Sequence, residues 1–477
     1  MKARQVLLFI LGVFLMLGTA WAVFPAEGVR VGGKRLRFAS YAGRLRDAAE
    51  RKVDVDSVLN ALDERFAMHD DTLAFYRQFF YENPDRIYLP EDDYTFFDPV
   101  FRAFERARRE GKTVRVAHYG DSQIELDRIS SNLREALQTR FGGSGTGMFP
   151  ALTTTPMASI SRTSSGGFSF YTMVVDSTTR RAGHNRYGPL SQVTSFSGKG
   201  TINLRAQKLK STLEHVRSFQ SVSILYGRAS DDFTAAVQSD TLKPVPVTRT
   251  KDGLTWTTWT FRKPVEKATL RLAGRAEVYG ISTDGTAGVT VDNIPMRGST
   301  GHILTRIDKD LMKAAFDLDG TRLVILQFGG NFVPAARSSK AISDYMDKVR
   351  EQIAYYHEVA PDAKILFIGP SDMASSTEDG RIVSYRRLPE VVDSLKAVSL
   401  ASGAAYWDLY RMMGGQNSMA QWVRHYPAYA GPDYVHFTSA GAKLVGETLS
   451  RSLLTYYDFY DLRKTLPAAA VQQRMGR

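Results

Sequence analysis

Three short apolar runs late in the chain, Leu323–Phe328, Lys364–Ile368 and Ala405–Asp408, each follow a stretch of helical spacing, at 303–315, 340–358 and 386–401. Strands without polar alternation that take turns with helices predict a parallel sheet covered on both faces. A last helical stretch runs from Ser439 to Tyr456. A further strand of this sheet lies far upstream, where Val114, Val116 and His118 alternate with Arg115 and Ala117 and Gly120 ends the run. From Leu126 the period changes, and Leu126, Ile129, Leu133 and Leu137 fall on one helical stripe over 126–140.

Between about 155 and 292 the texture is different. Short alternating runs recur, among them Phe168–Val175, Gly200–Ala206, Ser221–Tyr226, Thr234–Gln238, Leu254–Phe261, Ala268–Leu272, Ala276–Ser282 and Gly288–Val291, with turn residues between them. Pro246 marks the run Val245–Arg249 as an edge strand. These runs predict an antiparallel β-sandwich or jelly roll set inside the α/β domain. Upstream, Tyr41–Arg51, Val55–Phe66 and Asp98–Glu110 read as helices of a cap, with a turn at Asn83-Pro84. The expected division is 1–22 leader, 23–110 helical segment, 111–154 and 296–460 the two parts of the α/β domain, 155–295 the all-β insertion, and 461–477 a frayed tail.

The leader has Lys2 and Arg4, then an apolar run from Val6 to Gly18, then Ala20-Trp-Ala22. That order is the pattern of a secretory signal cut after Ala22. Val6–Val23 could also stay as a membrane anchor, and either fate exports the rest to a periplasm or cell envelope. The absence of cysteine excludes a thiol nucleophile and any cysteine-ligated zinc. The histidines have no metal-ligand spacing, so neither a metal nor an organic cofactor is expected. The formal charge of +12, or +10 once Lys2 and Arg4 are gone, favours an acidic partner. With no nucleic-acid motif, that partner is expected to be a glycan rather than DNA.

Four separated segments carry chemistry: Gly120-Asp-Ser122, Arg297-Gly-Ser-Thr-Gly301-His302, Gly329-Gly-Asn331 and Asp433-Tyr-Val-His436. Each lies at the end of a predicted strand or just before a helix, which puts all four on the carboxyl edge of one parallel sheet. Ser122 is the candidate nucleophile, His436 the base that takes its proton, and Asp433 the acid that orients the imidazole. The amides of Ser122 and Gly301 and the side chain of Asn331 are the candidate oxyanion donors.

In this order the blocks resemble the SGNH (GDSL-like) hydrolase superfamily, named for Ser, Gly, Asn and His. The longer wording His118-Tyr-Gly-Asp-Ser-Gln-Ile-Glu-Leu-Asp-Arg128, the β insertion and Asp433-Tyr-Val-His-Phe-Thr are similar to its exported, carbohydrate-acting branch, which includes peptidoglycan O-acetylesterases. The resemblance implies a flavodoxin-like three-layer domain and an acetylated polysaccharide as substrate. It also implies an acyl-serine intermediate. Phe332 stands where the family commonly has an acid after the asparagine, and Gly298 competes with Gly301 for the oxyanion role.

Gln123, His302, Gly414, Gly415 and Trp422 are further candidates to touch substrate. His118 is expected to be packed and hydrogen-bonded, Asp372 a loop or cap residue, and Trp256 and Trp259 core. The same triad could instead pass the acetyl group to a sugar hydroxyl, as an O-acetyltransferase. A carbohydrate-binding protein with a vestigial site is the reading from another class.

Overall fold

The computed structural model describes residues 3–23, 29–31, 34–36, 72–152, 156–175, 178–208, 213–238, 242–243, 248–249 and 253–475. The expected helices at Tyr41–Arg51 and Val55–Phe66 lie outside the described residues. Residues Met1–Asp56 form one unit and Ser57–Arg477 another. In the first, Ala3–Val23 is an apolar helix and Val29–Val31 pairs with Lys34–Leu36. Among the described residues no helix is long and apolar enough to cross a membrane.

The second unit is built on a six-stranded sheet. Numbered by sequence, its five parallel strands Thr113–Gly120, Gly288–Pro295, Thr321–Gln327, Lys364–Ile368 and Ala405–Trp407 lie in the order 2-1-3-4-5. Leu323, Val324, Ile325 and Leu326 are fully buried, as a strand covered on both faces requires. The helices Lys309–Asp319, Ser339–Val359 and Leu388–Ala401 connect these strands, and Ser439–Arg463 closes the domain. The predicted helix at 303–315 is two pieces: a single-turn segment at His302–Arg306, then the helix from Lys309, because the Asp308 carboxylate caps it by accepting from Leu311 N–H.

The segment before Thr113 does more than cap. Its Ile87–Tyr88 pairs antiparallel with Ala405–Trp407 and completes the sheet edge. Phe79 and Phe97 pack on Tyr456 of the closing helix, Phe80 on Tyr456 and Phe459, and Phe101 on Tyr457 and Tyr460. The tail also differs from expectation. Ala468–Met475 is a helix with Val471 and Met475, one turn apart, both buried.

Among the described residues, nine strands between Gly147 and Asp284 hydrogen-bond into a single sheet in which every pairing is antiparallel. Its spine is Lys267–Asp284, where sequence periodicity predicts two strands. The first half of this strand lies between Gln192–Ala206 and Thr234–Gln238, and the second between Phe219–Gly227 and Gly147–Phe149. A register shift between Val278 and Gly280 marks the change of partners. Both halves surround one apolar cluster containing Phe196, Ile202, Ile224, Leu270 and Ile281. Gly288–Pro295, expected as the last strand of this insertion, instead pairs in parallel with Thr113–Gly120. It forms an edge of the six-stranded sheet, and its continuous burial fits a strand covered on both faces better than an alternating one.

Candidate active site

Ser122, the candidate nucleophile, follows a turn that a small residue opens. A Cβ on Gly120 would meet Ile124 at 3.0 Å and the Gln327 carbonyl at 3.2 Å. Asp121 then accepts from Gln123 N–H at 2.9 Å and starts a single turn over Ser122–Ile124. The stripe expected to begin a helix at Leu126 does not do so. Leu126 and Asp127 are left-handed, at φ 62° and 65°, and the helix starts at Ser130. Asp127, fully buried, accepts two hydrogen bonds from Arg134 and one from Ser159 Oγ, which fixes this unfavourable backbone.

The histidine segment is shaped by its own aspartate. Asp433 Oδ1 accepts from the N–H groups of Val435 and His436, both at 3.1 Å, and the intervening Tyr434, directly after Asp433, is left-handed. Thr438 Oγ1 then accepts from Gly441 N–H and caps the closing helix. The result joins residues far apart in sequence: Ser122 Oγ lies 2.8 Å from His436 Nε2, and His436 Nδ1 lies 2.7 Å from Asp433 Oδ2. Burial raises the Asp433 carboxyl, but the hydrogen bonds from the His436 side chain and from both backbone N–H groups outweigh it and hold the acid below its usual range. An ionised acid there favours the Nδ1–H tautomer, which leaves Nε2 free to accept the serine proton.

Ser122, Gly298, Asn331 and His436 all line one open cavity of about 530 Å³. Asn331 Nδ2 donates to Asp121 Oδ2 at 3.0 Å and to the Ser299 carbonyl at 3.1 Å. Burial pushes Asp121 up to about 6, against the hydrogen bond from Gln123. Gly301 does not line the cavity, and its N–H donates to Ser299 Oγ. Its φ of 87° and the contact a Cβ would make with Gln352 and Phe328 explain the glycine by packing. Gly298, with φ 71° and open space where a Cβ would be, is the glycine facing the cavity. Phe332 has no acid's part to play and stacks on Tyr345 at 4.2 Å.

The other expected contacts divide. Gln123 lines the cavity, but its amide is engaged by the histidine segment. His302 pairs with Glu351 away from the cavity. Gly414 and Gly415 take positive φ in the turn after the helix Leu409–Met412 and do not line it. Trp422 is 1% exposed, donates to the Met413 carbonyl and packs on Tyr429 and Phe437, so it supports the histidine segment from behind. His118 is buried between Gln327 and Ser130, and burial lowers it to about 4. Asp372 is raised to about 6 by burial and accepts from Met419 N–H and Ser384 Oγ, a structural role. Trp256 and Trp259 pack at the edges of the two apolar clusters.

Sequence reading missed Leu126, Arg128 and the bidentate pair of Arg297 with Glu125, all of which line the cavity. Nothing in composition marks them. For Glu125, Leu126 and Arg128 the available signal was proximity to Ser122 in the sequence, and for Arg297 its place next to Gly298.

The 2-1-3-4-5 parallel sheet brings Ser122, Asn331 and His436 to one cavity, the arrangement expected from the resemblance to the SGNH hydrolases. The solved structure named "Peptidoglycan O-acetylesterase in action, 5 min" has this fold: it aligns with TM-score 0.58 and 20% identity, over 77% of this chain and 97% of its own. An acetyl xylan esterase aligns at 14% identity over 34% of this chain and 79% of its own, with TM-score 0.25. A carbohydrate acetylesterase from Sinorhizobium meliloti aligns at 13% identity over 35% and 78%, also with TM-score 0.25. Those two scores are too low to bear weight. No protein-family model matches the sequence, and no curated protein does.

Proposed function

We propose that this protein is a serine esterase that removes O-acetyl groups from a cell-envelope polysaccharide such as peptidoglycan. The observation that carries the reading is the continuous hydrogen-bonded line Ser122 Oγ, His436, Asp433, opening on a cavity wide enough for a sugar. Ser122 Oγ attacks the acetyl carbonyl while His436 Nε2 takes its proton. Asp433 stabilises the imidazolium. The tetrahedral oxyanion is met by the amides of Ser122 and Gly298 and by Asn331, with Gly298 in the place first given to Gly301. His436 returns the proton to the departing sugar hydroxyl. Water, activated by the same imidazole, then releases acetate from the acyl-Ser122 intermediate.

The likeness of fold to a peptidoglycan O-acetylesterase supports this choice of substrate, and the positive formal charge suits an acidic glycan. The N-terminal apolar helix is read as the export signal that brings the enzyme to it. The test is acetate release from O-acetylated peptidoglycan, acetylated xylan and acetylated alginate by the wild type and by Ser122→Ala. Fastest release from peptidoglycan, abolished in the variant, is expected. Equal release by Ser122→Ala removes the serine from the mechanism. Faster transfer of acetyl to an added sugar than to water makes the protein a transferase.

A further inference from the structure

The triad is open to solvent: the side chains of His436 and Asp433 are 41% and 50% exposed. Packing against protein therefore does little to hold the imidazole at its 2.8 Å distance from Ser122. The backbone on both sides of His436 is held instead, by two side chains from the nucleophile segment. Gln123 Nε2 donates to the Val435 carbonyl at 2.6 Å, and Gln123 Oε1 accepts from Phe437 N–H at 3.2 Å. Arg128 Nη1 donates to the Phe437 carbonyl at 2.7 Å, Nη2 to the Ser122 carbonyl at 3.1 Å and Nε to the Glu125 carbonyl at 2.9 Å. One guanidinium thus joins the carbonyls of the nucleophile and of the residue after the base. The planar fork is what lets Arg reach three acceptors in fixed directions, a geometry that Lys cannot copy.

We propose that Gln123 and Arg128 are positioning residues for catalysis, a clamp that sets the separation of Ser122 and His436. The proposal rests on the esterase reading above. Neither residue is asked to touch the reacting atoms. A displacement of the order of 1 Å at such a site can lower the rate about 100-fold.

The experiment compares wild type, Gln123→Ala, Arg128→Ala and Arg128→Lys, each checked for a native melting transition. The readouts are kcat and KM on an aryl acetate, and the rate at which a fluorophosphonate probe labels Ser122. Both alanine variants should lose about 10- to 100-fold in kcat and in labelling rate, with a smaller change in KM, since a displaced imidazole acts on the reacting step rather than on binding. Arg128→Lys should fall between, and millimolar guanidinium should restore part of the loss in Arg128→Ala. Labelling and kcat within twofold of wild type in folded alanine variants overturn the clamp. So does a loss in Arg128→Ala that neither guanidinium nor lysine relieves at all. Failure of the probe to label wild-type Ser122 instead defeats the esterase reading, so the two failures are distinguishable.

Discussion

Asn331 donates to Asp121 over 3.0 Å, so the carboxamide proposed to meet the oxyanion is already oriented by the residue that precedes Ser122. The second hydrogen of Asn331 Nδ2 goes to the Ser299 carbonyl and is the one a developing anion would take over. Asn331→Ala should lower kcat by about 10²–10³ with little change in KM. Asp121→Ala should lower kcat less, and the double variant should be no worse than Asn331→Ala by more than a few-fold, because both act through one donor. Steady-state kinetics on an aryl acetate checks this; fully additive losses would separate the two residues.

Leu126 projects into the cavity, 42% exposed, from a left-handed backbone that a leucine adopts at a cost of about 1–2 kcal/mol. Leu126→Gly removes that strain and with it the apolar surface. We expect a melting temperature no lower than wild type, together with a KM for acetylated glycan raised several-fold and an unchanged rate on small aryl acetates. Calorimetry and kinetics on both substrates test it. A lowered melting temperature would show the leucine to be structural.

Arg115 is buried among Asp284, which ends the long strand, Asp292 on the neighbouring parallel strand, and Ser282. Burial opposes its charge, but Asp284 and Asp292 more than offset this and keep the guanidinium ionised. Truncation leaves buried carboxylates uncompensated, so Arg115→Ala should destabilise by about 3–5 kcal/mol. Denaturant unfolding measures it, and a change below 1 kcal/mol would refute the assignment.

Asp319 is raised to about 7 by burial, against the pull of Arg115, and Asp121 and Asp372 each to about 6 by the same cause. In the unfolded chain such acids titrate near 3.9. Between about pH 4 and 7 the unfolded state has therefore lost protons that the folded state keeps. Stability from these groups is full below pH 4 and falls as pH rises through 6 to 7. Asp319→Asn, which can still accept from Thr321, should flatten this decline by an amount on the order of 4 kcal/mol at most. Melting curves from pH 4 to 8 decide it; identical slopes in variant and wild type would count against a raised Asp319.

Much of this fold is visible in residue order. The buried runs at 323–328 and 364–368 could only be central strands, and the motif spacing singles out Ser122, His436 and Asp433, whose side chains the fold joins in one hydrogen-bonded line. The failures share a cause. Gly288–Pro295 has the same β-branched texture whether it closes one sheet or joins another, and only the partner strand Thr113–Gly120 distinguishes them. Leu126 fits a helical stripe, yet the buried Asp127–Arg134 pair overrides local periodicity. Gly301 and Gly298 are equivalent as letters; which one meets the cavity depends on the path of the turn.

The nine-stranded sheet departs after Ser144 and is back at Gly285, where Gly285 N–H donates to the Ser144 carbonyl at 2.8 Å. Because the chain leaves and returns through one doorway, Thr113–Gly120 and Gly288–Pro295 stay side by side although the whole antiparallel sheet lies between them in sequence. The buried Arg115–Asp284 pair and the Ser159–Asp127 hydrogen bond then weld the two sheets together, so a change of length inside the β part is tolerated better than a change at the weld.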